Sequence, residues 1–237
     1  MASAEEGVPP PELLLLVASD DCTASVVRAE SGERVRHLDA LHSEEIKCAA
    51  FSADRKLLAL GSRDESASLV DATTGERVKH LDGLHDGWIC CIAFSPCGKL
   101  LALGSRDETV SIVDTASGER SRHLEGLHTS DITSVAFSPD GTLLAIGSDD
   151  GSASLVTVES GERVRHLGEF HTDAILSVAF SPDGKLLALG SDDKSVSLVE
   201  VETGARKRHM EGLHREGILS VAFNPNGRQL VIGSEDM

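Results

Sequence analysis

The chain repeats itself every 43 residues. Gly61, Gly104, Gly147, Gly190 and Gly233 stand at one equivalent position, and Ala18 holds that place one period earlier. The stretch from Thr129 to His171 is copied, with most positions kept, by Thr172 to His214. Self-similarity at a fixed period of roughly 20–50 residues restricts a chain to solenoids, propellers and related arrays, because each unit leaves apolar surface that only a neighbouring unit can cover.

The unit beginning at Ile132 shows which architecture applies. ITSVAFS (132–138) alternates small polar and apolar β formers and reads as strand a. Ser138-Pro139-Asp140-Gly141 is a turn, with proline pre-setting φ and glycine accepting a positive φ at its end. LLAIGS (143–148) is apolar on both faces and reads as a buried strand b. Asp149-Asp150-Gly151 turns the chain into strand c, SASLVTV (152–158), and Ser160-Gly161 into strand d, ERVRHL (162–167). Arg163 and Arg165 alternate along strand d, as expected of an outer strand whose charges block edge pairing. The apolar segments run only four to seven residues and show no 3.6-residue period, so a helical solenoid fits poorly. The fold class predicted is all-β: a propeller of four-stranded antiparallel blades.

These phrases resemble the WD-repeat β-propeller family. SVAFSPDG (134–141 and 177–184), LLALGSDD (186–193) and the trailing TG or SG turn occur in the family's order and spacing across residues 13–237. One departure is systematic. The Trp that ends strand c in the family is Val27, Val70, Val113, Val156 and Val199 here, and the following Asp survives only as Asp71 and Asp114. The resemblance implies a buried polar tetrad in each blade. Carried over by spacing, its members are His42, Leu60, Asp64, Val70; His85, Leu103, Asp107, Val113; His128, Ile146, Asp150, Val156; and His171, Leu189, Asp193, Val199. His and Asp are kept, while hydroxyl and indole are both aliphatic. Losing the two together avoids a buried hydroxyl without its partner, which costs about 1–3 kcal/mol. A His–Asp hydrogen bond is therefore expected in each blade, with Ser62, Ser105, Ser148 and Ser191 as candidates to restore the missing hydroxyl link.

Strands b, c and d at 13–38, four complete units, and strands a and b at 218–234 give twenty-one strands. About five blades follow. The closures compatible with this count are a five-bladed ring with ILSVAFN (218–224) beside the N-terminal strands, a truncated larger propeller, and ends that meet another chain. Residues 1–12 (MASAEEGVPPPE) have no repeat partner and read as a disordered tail.

Lys and Arg number 22 against 39 Asp and Glu, a net charge of −17. That balance disfavours nucleic acid and anionic membranes and favours a basic partner. No run approaches a membrane span, and no signal peptide is evident. Cys22, Cys48, Cys90, Cys91 and Cys97 are an odd count without a recurring framework, so reduced thiols in a cytoplasmic or otherwise intracellular protein are expected, the nucleus included.

All ten histidines fall at two repeat positions, before strand a and at the end of strand d. A metal or catalytic histidine is expected to break the repeat, so no metal site, cofactor or catalytic residue is assigned. Recognition is instead expected where the repeats differ. Before the tetrad Asp the series runs Asp20, Arg63, Arg106, Asp149, Asp192, Glu235; before strand a it runs Glu45, Trp88, Asp131, Ala174, Gly217. In the family the first of these turns lies on a rim face used for partners. Trp88 is the single Trp. The candidate contact patch is therefore Trp88, Arg63 and Arg106, with Asp131, Asp149 and Asp192 adjoining. The function expected is a non-catalytic scaffold binding a protein or peptide on the rim. The alternatives are an enzyme with a site at the central channel mouth and a fragment of a larger repeat protein.

Overall fold

A computed structural model describes residues 13–236. The tail expected at residues 1–12 lies outside the described residues. The elements are all strands. Leu14–Ala18 (β1), Ala24–Arg28 (β2) and Arg34–Leu38 (β3) form a three-stranded sheet. The first complete blade comprises Ile46–Phe51 (β4), Leu57–Ser62 (β5), Ala67–Asp71 (β6) and Arg77–Leu81 (β7). The second comprises Ile89–Phe94 (β8), Leu100–Ser105 (β9), Val110–Asp114 (β10) and Arg120–Leu124 (β11). The third comprises Ile132–Phe137 (β12), Leu143–Ser148 (β13), Ala153–Thr157 (β14) and Arg163–Leu167 (β15). The fourth comprises Ile175–Phe180 (β16), Leu186–Ser191 (β17), Val196–Glu200 (β18) and Arg206–Met210 (β19). Ile218–Phe223 (β20) and Leu230–Ser234 (β21) close the series as a two-stranded sheet. All pairings are antiparallel, giving a β-propeller of about five blades.

The turns form as their residues dictate. Ser138 Oγ donates to Asp140 Oδ1 (2.6 Å) and accepts from the Leu143 amide (2.9 Å), while Gly141 takes φ +73°. Strand b is the buried centre of each blade: Leu144, Ala145 and Ile146 are fully buried. In each complete blade the register between strands c and d shifts at the valine that stands where the family has Trp, as between Leu155 and Val156. The bulge falls where the indole is missing.

Blades join by interlocking two different faces. Leu58, Leu60 and Val70 of one blade pack on Leu14, Leu16, Ala24, Val26 and Leu38 of the preceding sheet. Leu144, Ile146 and Val156 meet Ala102, Val110, Ile112 and Leu124 in the same way. The recurring glycine lies at this junction. A Cβ on Gly104 would lie 2.5 Å from Cys91 Sγ and 2.6 Å from Ile132 Cγ2, the isoleucine that starts the next blade. Gly61 is equally crowded, by Cys48 and Ile89. Among the described residues no strand follows β21, and the nearest neighbour of a Cβ on Gly233 would be Ser220 Cβ at 3.8 Å. The period of 43 is thus the distance between one blade's close approach and the next.

Of the closures compatible with the strand count, docking of 218–224 beside the N-terminal strands does not occur. β20 is held by β21 in register from Ile218↔Ser234 to Phe223↔Leu230, so the edge that β1 would occupy is already filled. Sheet pairing does not connect β20 with β1 among the described residues.

Candidate functional site

The two variable positions form one continuous rim. In each unit the backbone ties them: Arg63 N donates to Glu45 O (2.8 Å), Arg106 N to Trp88 O (3.0 Å), Asp149 N to Asp131 O (3.0 Å) and Asp192 N to Ala174 O (2.9 Å). Residues some 18 positions apart in sequence are thereby fixed side by side in each unit.

Trp88, Arg63, Arg106 and Asp131 come together in a single stack. The Arg63 guanidinium lies 3.7 Å from the Trp88 ring centroid and that of Arg106 lies 4.1 Å from it. Each is within the range in which the ring quadrupole attracts a cation. Arg63 also pairs with Glu45 Oε1 (3.1 Å) and approaches Glu44 (3.9 Å). Arg106 Nε donates to Asp131 Oδ2 at 2.5 Å. The stack spans blades, since Arg63 precedes Trp88 by one unit and Asp131 follows it. A cleft of about 490 Å³ opens beside it, lined by Asp20, Cys22, Glu44, Glu45, Arg63 and Trp88. The three residues expected to share one patch do lie together: both guanidinium groups engage the Trp88 ring, and what remains open is the cleft at its side.

Asp149 adjoins the stack. Burial, then the charges of Asp131, Asp173 and Asp192, push its carboxyl above the usual carboxylate range, with Arg106 opposing them. Asp192 sits farther along, against Gly217, where a Cβ would lie 2.0 Å from its Oδ1. The rim therefore passes from a mixed, aromatic sector at Arg63 and Arg106 to an acidic one at Asp131, Asp149 and Asp192.

Beneath the rim lie the histidine–aspartate pairs. His42 Nδ1 is 3.1 Å from Asp64, His85 Nδ1 2.9 Å from Asp107, His128 Nδ1 3.0 Å from Asp150 and His171 Nδ1 3.0 Å from Asp193. His214 and Asp236 form a further, more exposed pair at 2.9 Å. Asp150 also accepts from the Thr129 and Ser152 amides and the Ser152 hydroxyl. Burial alone would raise the Asp150 carboxyl. The Ser152 hydroxyl, the two amides and His128 outweigh it and hold the group below its ordinary value. Burial pushes His128 down, against the opposing pull of Asp150, so the pair is a neutral imidazole beside a carboxylate.

The hydroxyl partner is not where the spacing put it. Ser62, Ser105, Ser148 and Ser191 donate to the backbone carbonyls of Glu44, Gly87, Ser130 and Asp173. Ser66, Thr109, Ser152 and Ser195 lie 3.0–3.2 Å from the His Nδ1 instead. A hydroxyl residue two places after each Asp was the overlooked signal. Because these hydroxyls donate to Asp, they share the Nδ1 proton with it, and Nε2 carries the lone pair. Nε2 of His42, His85, His128 and His171 is buried without a partner, as is Oγ of Ser68, Ser111 and Ser154. Dropping hydroxyl and indole together did not avoid an unsatisfied group; it moved it to the imidazole.

Among the described residues, groups of three or more His, Cys, Asp or Glu in metal-holding arrangement do not occur. A comparison with curated proteins gave no match. The family profile described as WD domain, G-beta repeat matches residues 32–71, 75–114, 120–156, 161–199 and 209–237. The first four matches begin at or near strand d of one sheet and end near strand c of the next, the same unit seen in a shifted frame, and the fifth runs from the end of β19 past β21. Proteins of this family generally bind protein partners and are generally non-catalytic. With five such matches across most of its length, the chain belongs to the WD40 repeat family.

Proposed function

We propose that this chain is a non-catalytic interaction module that holds a basic segment of a partner protein on the rim sector around Trp88. The observation that carries the reading is the Arg63–Trp88–Arg106 stack, bounded by carboxylates on both sides. Positions that differ among near-identical units are free of the packing constraint, so their chemistry is available for recognition. Asp131, Asp173 and Asp192 crowd the Asp149 carboxyl, and an incoming Lys or Arg relieves the repulsion felt there. A second cationic side chain fits the cleft beside the indole, where Asp20, Glu44 and Glu45 supply acceptors. Charge pairs at an exposed rim act mainly on association rate and are screened over about 8 Å at physiological salt. The five free thiols favour a reducing intracellular compartment as the setting.

Affinity capture from cell extract, read by mass spectrometry at low and high salt, tests this. Trp88→Ala and the pair Asp149→Asn with Asp192→Asn are each expected to lose the same partner by about tenfold or more, as for centrally placed interface residues. Capture that survives both changes, or partners without a basic segment, refutes the assignment.

A further inference from the structure

The interior junctions all use the same two faces, and at the ends of the array one of each is open. The leading face, with Leu58 and Leu60 in the first complete blade, recurs as Leu101 and Leu103, Leu144 and Ile146, and Leu187 and Leu189; all eight side chains are fully buried. The equivalents in the N-terminal sheet are Leu15 and Val17, which are 51% and 52% exposed. The trailing face carries Ala59, Ala102, Ala145 and Ala188, all fully buried. Its equivalent in β21 is Val231, 65% exposed, with Leu219 of β20 47% exposed nearby in the same sheet.

A leading face and a trailing face are the two halves of one joint, already made five times within the chain. Exposed apolar side chains at such positions mark an interaction surface rather than ordinary solvent-facing residues. We propose that the occupant is a second copy of this chain, docked head to tail, with Leu15 and Val17 of one molecule against Val231 and Leu219 of the next. The argument is continuity: the surface offered by β20–β21 stands where each interior trailing face stands, and Leu15 and Val17 stand where each interior leading face stands, with apolar side chains at both. A joint between two different faces is heterologous, so copies add in one direction and each molecule keeps one of each face for a further neighbour.

Sedimentation velocity on the full chain tests this with complementary variants. Leu15→Glu with Val17→Glu disables the leading face, and Val231→Glu disables the trailing face. All three residues are at least half exposed, so the folded repeats are expected to persist, checked by far-UV circular dichroism. The wild-type chain is expected to grow with concentration toward about 100 µM. Each variant alone is expected to stay monomeric. An equimolar mixture is expected to form a one-to-one dimer and nothing larger, because each variant retains the face that the other lacks. Leu15→Ala with Val17→Ala serves if the glutamate pair unfolds, and is expected to weaken assembly by about tenfold. A wild-type chain that remains monomeric over that range, variants that still assemble alone, or a mixture that fails to pair overturns the proposal.

Discussion

Replacing the junction glycines one at a time isolates what holds the blades at their spacing. At Gly104 an added Cβ would lie 2.5 Å from Cys91 Sγ and 2.6 Å from Ile132 Cγ2, with Ile132 Cβ at 3.2 Å. Ile132 is 1% exposed and branched at Cβ, and Cys91 is 8% exposed, so neither can swing away. Forcing a methyl into a packed core costs about 1–3 kcal/mol. The loss of glycine's freedom in the unfolded chain returns about 0.4–1 kcal/mol. Gly104→Ala is thus expected to destabilise by about 1–2 kcal/mol. Gly61→Ala, with contacts at 2.6 Å, belongs with it, and Gly147→Ala and Gly190→Ala, with closest contacts of 2.9 and 2.8 Å, are expected to cost less. Gly233→Ala meets nothing closer than 3.8 Å and keeps only the unfolded-state gain. Urea titrations followed by far-UV circular dichroism and by Trp88 fluorescence measure the midpoint at constant slope, and Trp88 reports from the blade that contains Gly104. Equal costs at Gly104 and Gly233 would refute the view that the following blade, not the strand itself, requires glycine. Ala18 holds this place in the N-terminal sheet, where the next blade, beginning at Ile46, still follows but the same-sheet strand that carries Cys48 or Cys91 elsewhere is absent, so one of the two crowding neighbours is missing.

Asp150→Ala is expected to cost about 3 kcal/mol, since two amides, a hydroxyl and an imidazole lose their common acceptor, and a double-mutant cycle with His128→Phe should show strong coupling. Stability is expected to fall on acidification. His42, His128 and His171 are depressed when folded, so from about pH 6.5 downward the unfolded chain takes up protons that the folded one refuses. A second loss follows below about pH 4, as the depressed carboxyls of Asp64, Asp150 and Asp193 are protonated; a thermal midpoint that rises between pH 7.5 and 5.5 contradicts this. Glu108 sits at φ +69°, where the third complete blade has Gly151, so Glu108→Gly is expected to stabilise by about 0.5–1 kcal/mol in the same urea assay. Ile146→Thr places a hydroxyl at the position that the family resemblance assigns to it, with His128 Nε2 unpartnered, and is expected to cost less than Val135→Thr on the same measure.

Much of the fold was legible because period and alternation are local properties of the chain. The strands expected at 132–138, 143–148, 152–158 and 162–167 lie within two residues of β12 to β15. The rim was legible for a different reason: a side chain that breaks a near-perfect repeat is not serving the repeat, and Trp88, Arg63 and Arg106 do meet in space. What spacing could not give was the direction of a hydroxyl. Ser148 and Ser152 flank the same turn, and only the strand edge decides that the first faces a carbonyl and the second the imidazole. Nor could it show that Trp88 is engaged by both guanidinium groups, because that depends on two neighbouring blades at once.

The sameness of the junctions has a consequence for how the chain reaches its final form. Each leucine-bearing surface finds an equally good counterpart on several sheets, so an early encounter one unit out of step gains nearly the same burial as the correct one. Nothing in the aliphatic contacts discriminates between them; only the shorter connecting segment does, through its smaller closure entropy. Order of assembly is thus set by proximity along the polypeptide, and a freshly made N-terminal sheet that waits too long for its neighbour is open to capture by the wrong one.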